Sequence, residues 1–443
     1  MAERRPNALE RFLGLFSEVR GGEGAIVLLL TLNVFLLLSS YYIVKPVREA
    51  LILAGGGAEI KSYAAAGQGL LLLVAVPIYA RLASFLPRRR LINVVTLFFT
   101  ACLAVFYMLA QVDVPLGIVF FLWVGIFNLM VIAQFWSFAN DVYSPEAGKR
   151  LFPIIAFGAS AGAVLGSYIA ELLIGPLGVY QLMLAAGGLL LVSLLITGLV
   201  DKQEQQGSGE EGAGDEAEEE PIGSEGAFKL VLENKYLLLI ALLMLLLNWV
   251  NTTGEYILGR TVQQAAAEAV AAGQAGGLSE GEYIGRFYAS FFKVVNLVGL
   301  VVQLFLVSRI IKVVGIRVGL LILPVIALGG YLILAFVPIL AVVRWAKTAE
   351  NATDYSLQNT VRQALFLPTT REQKYKAKQA IDTFFVRAGD VMSAVLVYIG
   401  VNWLAFNTQQ FALVNLALVV VWLFLALKIG RGYNALTADR QGD

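Results

Sequence analysis

Tyr41-Tyr42-Ile43-Val44-Lys45-Pro46-Val47-Arg48-Glu49-Ala50-Leu51-Ile52-Leu53 closes an apolar run that begins at Ala25. Charge placed there is costly, about 2.5–3.5 kcal/mol per residue on insertion scales, unless it faces water or a partner. Lys45, Arg48 and Glu49 follow i, i+3, i+4 spacing, so one helical face can gather all three. Pro46 removes a backbone donor and is expected to kink or end the helix near the charges. Two readings stand: lysine and arginine snorkelling to the interface, or an anion site at the mouth of a cavity.

Working outward, the whole chain repeats this pattern. It is 58% hydrophobic and 15% charged over 443 residues, and its apolar runs of about 20 residues read as membrane helices. Twelve spans are expected: 25–46, 63–83, 91–111, 116–140, 151–172 and 178–200, then 236–257, 286–308, 318–337, 338–366, 379–402 and 409–429. Between the sets, 201–228 is rich in Gly, Glu, Ser and Ala, and reads as an acidic disordered linker. The expected division is a segment at 1–24, six-helix bundles at 25–200 and 229–430, the linker between them, and a tail at 431–443. The fold class is therefore an all-α membrane protein of two pseudo-repeated six-helix bundles.

Composition also excludes functions. With no histidine there are no His ligands, bases or proton relays, and Cys102 alone forms no internal disulfide. A net charge of +1 gives no case for nucleic-acid binding. No Gly-Lys-Ser/Thr phosphate loop is present, so transport would be driven by a gradient or by exchange. Neither a catalytic constellation nor a cofactor is expected. Arg81, Arg88, Arg89, Arg90, Lys149 and Arg150, with Arg309, Lys312, Arg317, Arg371, Lys374, Lys376 and Lys378, load alternate loops. By the positive-inside rule both termini and the linker are cytoplasmic, and the expected location is a bacterial inner membrane.

The halves echo one another. Arg81 and Arg89 are matched by Arg309 and Arg317, and Ser137 to Val142 by Ser356 to Val361. Ala161-Gly162-Ala163-Val164 is matched by Ala388-Gly389-Asp390-Val391. This is the pattern of a duplicated transporter whose site lies where its halves meet. In span ten, Arg344, Lys347, Asn351, Asp354, Gln358 and Arg362 form one polar stripe, with Glu350 at its edge and able to pair with Lys347. Either a packing network or a substrate-facing stripe accounts for it. Glu255 near the end of span seven and Lys293 within span eight are two more intramembrane charges. The stretch from Arg260 to Arg286 reads as a surface loop or short helix.

Several motifs carry a resemblance. Phe135-Trp136-Ser137-Phe138-Ala139-Asn140, Lys149-Arg150-Leu151-Phe152-Pro153 and Gly158-Ala159-Ser160-Ala161-Gly162 resemble the fourth-to-fifth-helix region of the ATP/ADP antiporter family. Lys376-Ala377-Lys378-Gln379-Ala380-Ile381-Asp382 with Arg387-Ala388-Gly389 resembles its second signature, and Asn251, Glu255 and Tyr283 match further positions. The resemblance implies a major-facilitator-like fold and exchange or import of nucleotides. Lys45 matches that family's first-helix lysine and Glu255 its seventh-helix glutamate. Arg48 stands in an altered Lys45-Pro46-Val47-Arg48 pattern, Val124 replaces a glutamate and Asp390 a lysine, which marks a divergent member.

The expected substrate-binding set is Lys45, Arg48, Asn140, Glu255, Lys293, Arg344, Lys347 and Asn351, with Glu49, Glu350, Asp354 and Asp390 as charge-balancing or coupling groups. The expected partner is an anionic small molecule, a nucleotide by resemblance, met by a monomer in a lipid bilayer. The other readings are a carrier of another phosphorylated or organic anion coupled to protons, and a non-transporting scaffold retaining the fold.

Overall fold

The computed structural model describes residues 8–14, 18–207, 226–370 and 372–442. Among them every regular element is helical: α1 (Ala8–Leu13), α2 (Gly24–Phe85), α3 (Arg88–Ala110), α4 (Gly117–Val142), α5 (Pro145–Leu177), α6 (Gln181–Gly207) and α7 (Ala227–Glu233). There follow α8 (Lys235–Ala271), α9 (Glu280–Phe305), α10 (Val307–Phe336), α11 (Leu340–Thr353), α12 (Asn359–Ala364), α13 (Lys378–Ala380), α14 (Val386–Asn402) and α15 (Thr408–Gly442). Three π-helical turns, Asp354–Gln358, Gln373–Ala377 and Ile381–Phe385, interrupt the later helices.

Among the described residues, ten helices are long and apolar enough to cross a membrane. The first of them, α2, is two spans joined at Gly57, whose φ of 84° and ψ of 175° suit a residue without Cβ. The Leu340–Ala364 stretch, broken into two shorter helices by a π turn, makes the twelfth span.

Several expected boundaries move. Pro46 does not end the first span: helical geometry runs on to Gly57, so Lys45, Arg48 and Glu49 lie well inside a helix rather than at its far end. An intramembrane proline is tolerated where neighbouring groups re-satisfy the freed carbonyl. Glu255 is likewise mid-helix, because α8 continues to Ala271 and α9 begins at Glu280. The surface loop expected at 260–286 thus shrinks to the turn between those helices. Alanine-rich composition there favours helix extension over a loop. At the other junction α6 continues through Gly207, inside the stretch read as linker, and its Asp201 is buried against Arg88. The acidic run 210–220 lies outside the described residues.

The chain divides into two compact units, taken among the described residues. The first comprises 1–55, 70–215 and 275–293; the second comprises 56–69, 216–274 and 294–443. In the first unit α5 lies directly on the opening half of α2. A Cβ on Gly158, Gly162 or Gly166 would strike the backbone of Thr31, Phe35 or Ser39 respectively, so the four-residue glycine spacing sets a close crossing. An aromatic column fills the space between α3 and α4, with Trp123 stacked on Phe127 at 5.3 Å and Phe99 set edge-on to both.

In the second unit α14 approaches α8 in the same manner. A Cβ on Gly389 would lie 2.6 Å from the Leu245 carbonyl oxygen. Gly162 and Gly389, aligned in the sequence repeat, therefore mark equivalent helix crossings. Lys45 stands ten residues after Phe35 and Glu255 ten residues after Leu245. The repeat thus puts a buried cation in one unit where the other has a half-buried acid.

Candidate functional site

The richest polar constellation belongs to the second unit, where α8 and α11 face residues 56–69 of α2. Lys347, 1% exposed, is held from three sides. Its Nζ donates to Asn251 Oδ1 at 2.9 Å, pairs with Glu350 at 3.1 Å one helical turn on, and lies 3.8 Å from Glu255. Asn351 Nδ2 donates to Glu255 Oε1 at 3.1 Å, and Lys61 approaches the other Glu255 oxygen at 3.6 Å. Tyr331 on α10 donates its hydroxyl proton to Glu350 Oε2 at 3.1 Å. Gly254 makes room for this packing, since a Cβ there would collide with the Tyr331 hydroxyl and the Lys347 chain.

Helical register explains the assembly. Asn251 and Glu255 are four apart on α8, and Lys347, Glu350 and Asn351 share one face of α11. Two ammonium groups and two carboxylates meet, so the cluster is formally neutral. An isolated buried ion would cost several kcal/mol, and only mutual pairing makes these tolerable.

The rest of the expected stripe divides. Arg344 lies with its guanidinium over the exposed Trp345 ring, 6.0 Å from the centroid. Asp354 and Gln358 fall in the π turn, which shifts the register that a uniform α-helix would keep. The Oδ1 of Asp354 and both amide atoms of the fully buried Gln358 lack hydrogen-bond partners among the described residues. Asp390 is elsewhere in the unit: its carboxylate accepts from Asn248 at 2.8 Å, Thr252 at 2.7 Å and Arg387 at 3.1 Å.

The first unit has its own buried charges. The Lys45 ammonium lies among three rings, 4.0 Å from the centroid of Phe292, 5.0 Å from Tyr42 and 5.8 Å from Tyr41. Glu49, 1% exposed, pairs with its neighbour Arg48, which also covers the Phe121 ring at 4.6 Å. Lys293 on α9 pairs with Glu171 on α5 at 2.5 Å. Asn140 stands apart from these groups: it is exposed and lines a hollow at the turn between α4 and α5.

Lys61, Glu171 and Tyr331 were not among the expected residues. Lys61 follows Gly55-Gly56-Gly57, a run that reads as a loop, and Glu171 falls at the edge of an expected span. Intramembrane charge was the available signal for both, and the misplaced helix ends concealed it.

A sequence model of the Major Facilitator Superfamily matches residues 26–353, most of the chain. The chain belongs to that superfamily. Within it, the chain is similar to ADP,ATP carrier protein 1 of Chlamydia pneumoniae, 24% identical over 413 residues, covering 82% of this chain and 73% of the relative. Its fold is similar to that of the nucleoside transporter NupG (TM-score 0.66, 12% identity, 91% of this chain and 98% of the other). It is also similar to a bacterial homologue of the iron transporter ferroportin in an inward-facing state (0.62, 15%, 92% and 98%). A bacterial homologue of the lysosomal transporter Spinster, inward-facing and unoccupied, matches as well (0.59, 14%, 93% and 98%). This major-facilitator protein is a multi-pass membrane transporter of a small molecule and not an enzyme, and the resemblance to ATP/ADP antiporters holds as that of a divergent relative.

Proposed function

We propose that this transporter carries a nucleotide, by ATP/ADP-type exchange or by import, through alternating access. The bundles read at 25–200 and 229–430 are its moving parts. One observation carries the reading: the paired cluster of Lys61, Lys347, Glu255, Glu350, Asn251 and Asn351. Two lysines whose charges are balanced by carboxylates suit a phosphate that competes for the same ammonium groups. When the phosphate leaves, the carboxylates take its place, and no ammonium is left bare in a low-dielectric setting. The similarity to a carrier named for ADP and ATP supports the phosphate class.

Lys45, Arg48, Lys293 and Arg344 are proposed as further phosphate contacts, with Glu49 and Glu171 holding Arg48 and Lys293 in the empty protein. Asp354 and Asp390 are proposed as coupling groups. The three donors on Asp390 specifically favour a second reading, proton-coupled movement of another organic anion. Titrating one carboxylate would then release a network spanning α8 and α14. The proposed setting is a monomer in a bacterial inner membrane with both termini cytoplasmic.

The test is ligand-dependent melting of the detergent-purified protein. ATP and ADP should raise Tm while adenosine, which lacks phosphate, should not. A rise with citrate but not with ATP would move the assignment to a non-nucleotide anion.

A further inference from the structure

We infer that the hollow at the α4–α5 turn is a binding site for an anionic phospholipid. The hollow has a volume of about 690 Å³, within the range of small-molecule sites. Its walls are aromatic: the Phe152 ring lies edge-on to Trp136 at 5.7 Å and to Tyr143 at 6.3 Å. Lys149, Asn140 and Ser144 make the polar side of the lining, and the Ser144 hydroxyl is already engaged by the Ala147 N–H.

Two observations point to a phosphodiester. Lys149 is exposed and has no hydrogen-bond or ion-pair partner among the described residues, whereas Lys293 and Lys347 are both matched to carboxylates. The Tyr143 hydroxyl is buried yet lacks a hydrogen-bond partner, and a buried donor left unmet costs about 1–3 kcal/mol. Burial, with the nearby Glu23 charge, holds that phenol well above its ordinary pKa, so it remains an O–H donor. Ammonium, amide and phenol are together the donor set that a phosphate oxygen accepts from.

The choice of a lipid over a soluble phosphate rests on what adjoins these donors. Pro153 and Ala156 line the hollow and are exposed, and the neighbouring Phe157 is 50% exposed on the same helix. Exposed apolar groups on a helix long enough to cross a membrane face acyl chains. Lys149 and Arg150 also mark this turn as cytoplasmic by the positive-inside rule, where basic pockets meet anionic headgroups. A headgroup on Lys149, Asn140 and Tyr143 would thus continue into chains lying along Pro153, Ala156 and Phe157.

The experiment reconstitutes the full chain in nanodiscs of phosphatidylcholine alone or with phosphatidylglycerol, and measures melting temperature and retained phosphatidylglycerol by native mass spectrometry. Phosphatidylglycerol should raise Tm and remain bound to the wild type. Lys149→Ala should weaken its retention roughly fivefold, as expected for one juxtamembrane charge. Tyr143→Phe should weaken retention too, and Lys149→Arg should restore it. Equal retention by wild type and Lys149→Ala would overturn the site as a bulk surface effect. A Tm rise in detergent with glycerol 3-phosphate, lost in Lys149→Ala, would overturn the lipid in favour of a soluble phosphate.

Discussion

Lys347 illustrates why a buried cation is judged by what its removal leaves behind. Its Nζ neutralises Glu350 at 3.1 Å and lies 3.8 Å from Glu255, so Lys347→Ala alone strands carboxylates in a low-dielectric site. Removing one member of such a pair costs about 3–5 kcal/mol. The single variant should therefore melt well below wild type. The double variant Lys347→Ala/Glu350→Gln should recover most of that stability while still failing to bind ATP. Recovery of both stability and binding in the double variant would reduce Lys347 to packing. Outside the membrane, Glu23 offers a titration. Burial raises its pKa, but hydrogen bonds from Arg150 and the Arg20 amide, with both guanidinium charges, more than offset this and leave it lowered from 4.5. A depressed carboxylate contributes stability that is present above its unfolded pKa and lost as pH falls through the folded value. Acid melting of wild type should accordingly lose a contribution of about 1 kcal/mol or less below pH 4.5. Glu23→Gln should lack that contribution at neutral pH and show a shallower acid dependence. Parallel acid profiles for the two proteins would rule the clamp out.

Among the helices, the decisive contacts are close crossings and long-range pairs. Gly162 and Gly389 bring α5 onto α2 and α14 onto α8 without room for a methyl group. Alanine at either position should destabilise by about 1–3 kcal/mol, because the obstruction is backbone rather than a movable side chain. Unchanged melting would mean that the crossings are looser than described. Phe292 and Lys293, adjacent on α9, hold two different helices of the first unit: Phe292 covers Lys45 on α2, and Lys293 pairs with Glu171 on α5. Lys293→Glu and Glu171→Lys should each impair uptake, and the combined exchange should restore it in part. An additive loss would show that the pair is not coupled. Much at this scale was legible in the chain. Gly162 and Gly389 stood at matching places in the repeat, and the spacing of Lys347 and Glu350 predicted their pairing. The first helix end was not, because Pro46 looks locally like a terminus while Gly57 is where the backbone departs from helix. Lys61–Glu255 and Lys293–Glu171 join residues more than a hundred positions apart, and no local periodicity reports such pairs.

For the molecule as a whole, twelve spans could be read from hydropathy because the bilayer fixes span length, and the internal repeat from motifs matched between the halves. Substrate choice is less legible, since it depends on pairings such as those around Lys347 rather than on any short motif. The acidic 201–228 stretch was read as a tether whose slack matters more than its sequence. Replacing 210–220 by an equally long Gly/Ser segment should leave expression and transport intact, with at most a faster substrate on-rate at low salt. A large loss of uptake at normal expression would make the acidic run a regulatory element. The central claim, nucleotide transport, is tested most directly by uptake of labelled ATP into proteoliposomes loaded with ADP or left empty. The account predicts saturable uptake that exceeds protein-free liposomes, is competed by unlabelled ADP and is abolished in Lys347→Ala/Glu350→Gln. Folded wild-type protein giving no uptake above protein-free liposomes under either loading, with or without a pH gradient, would contradict it.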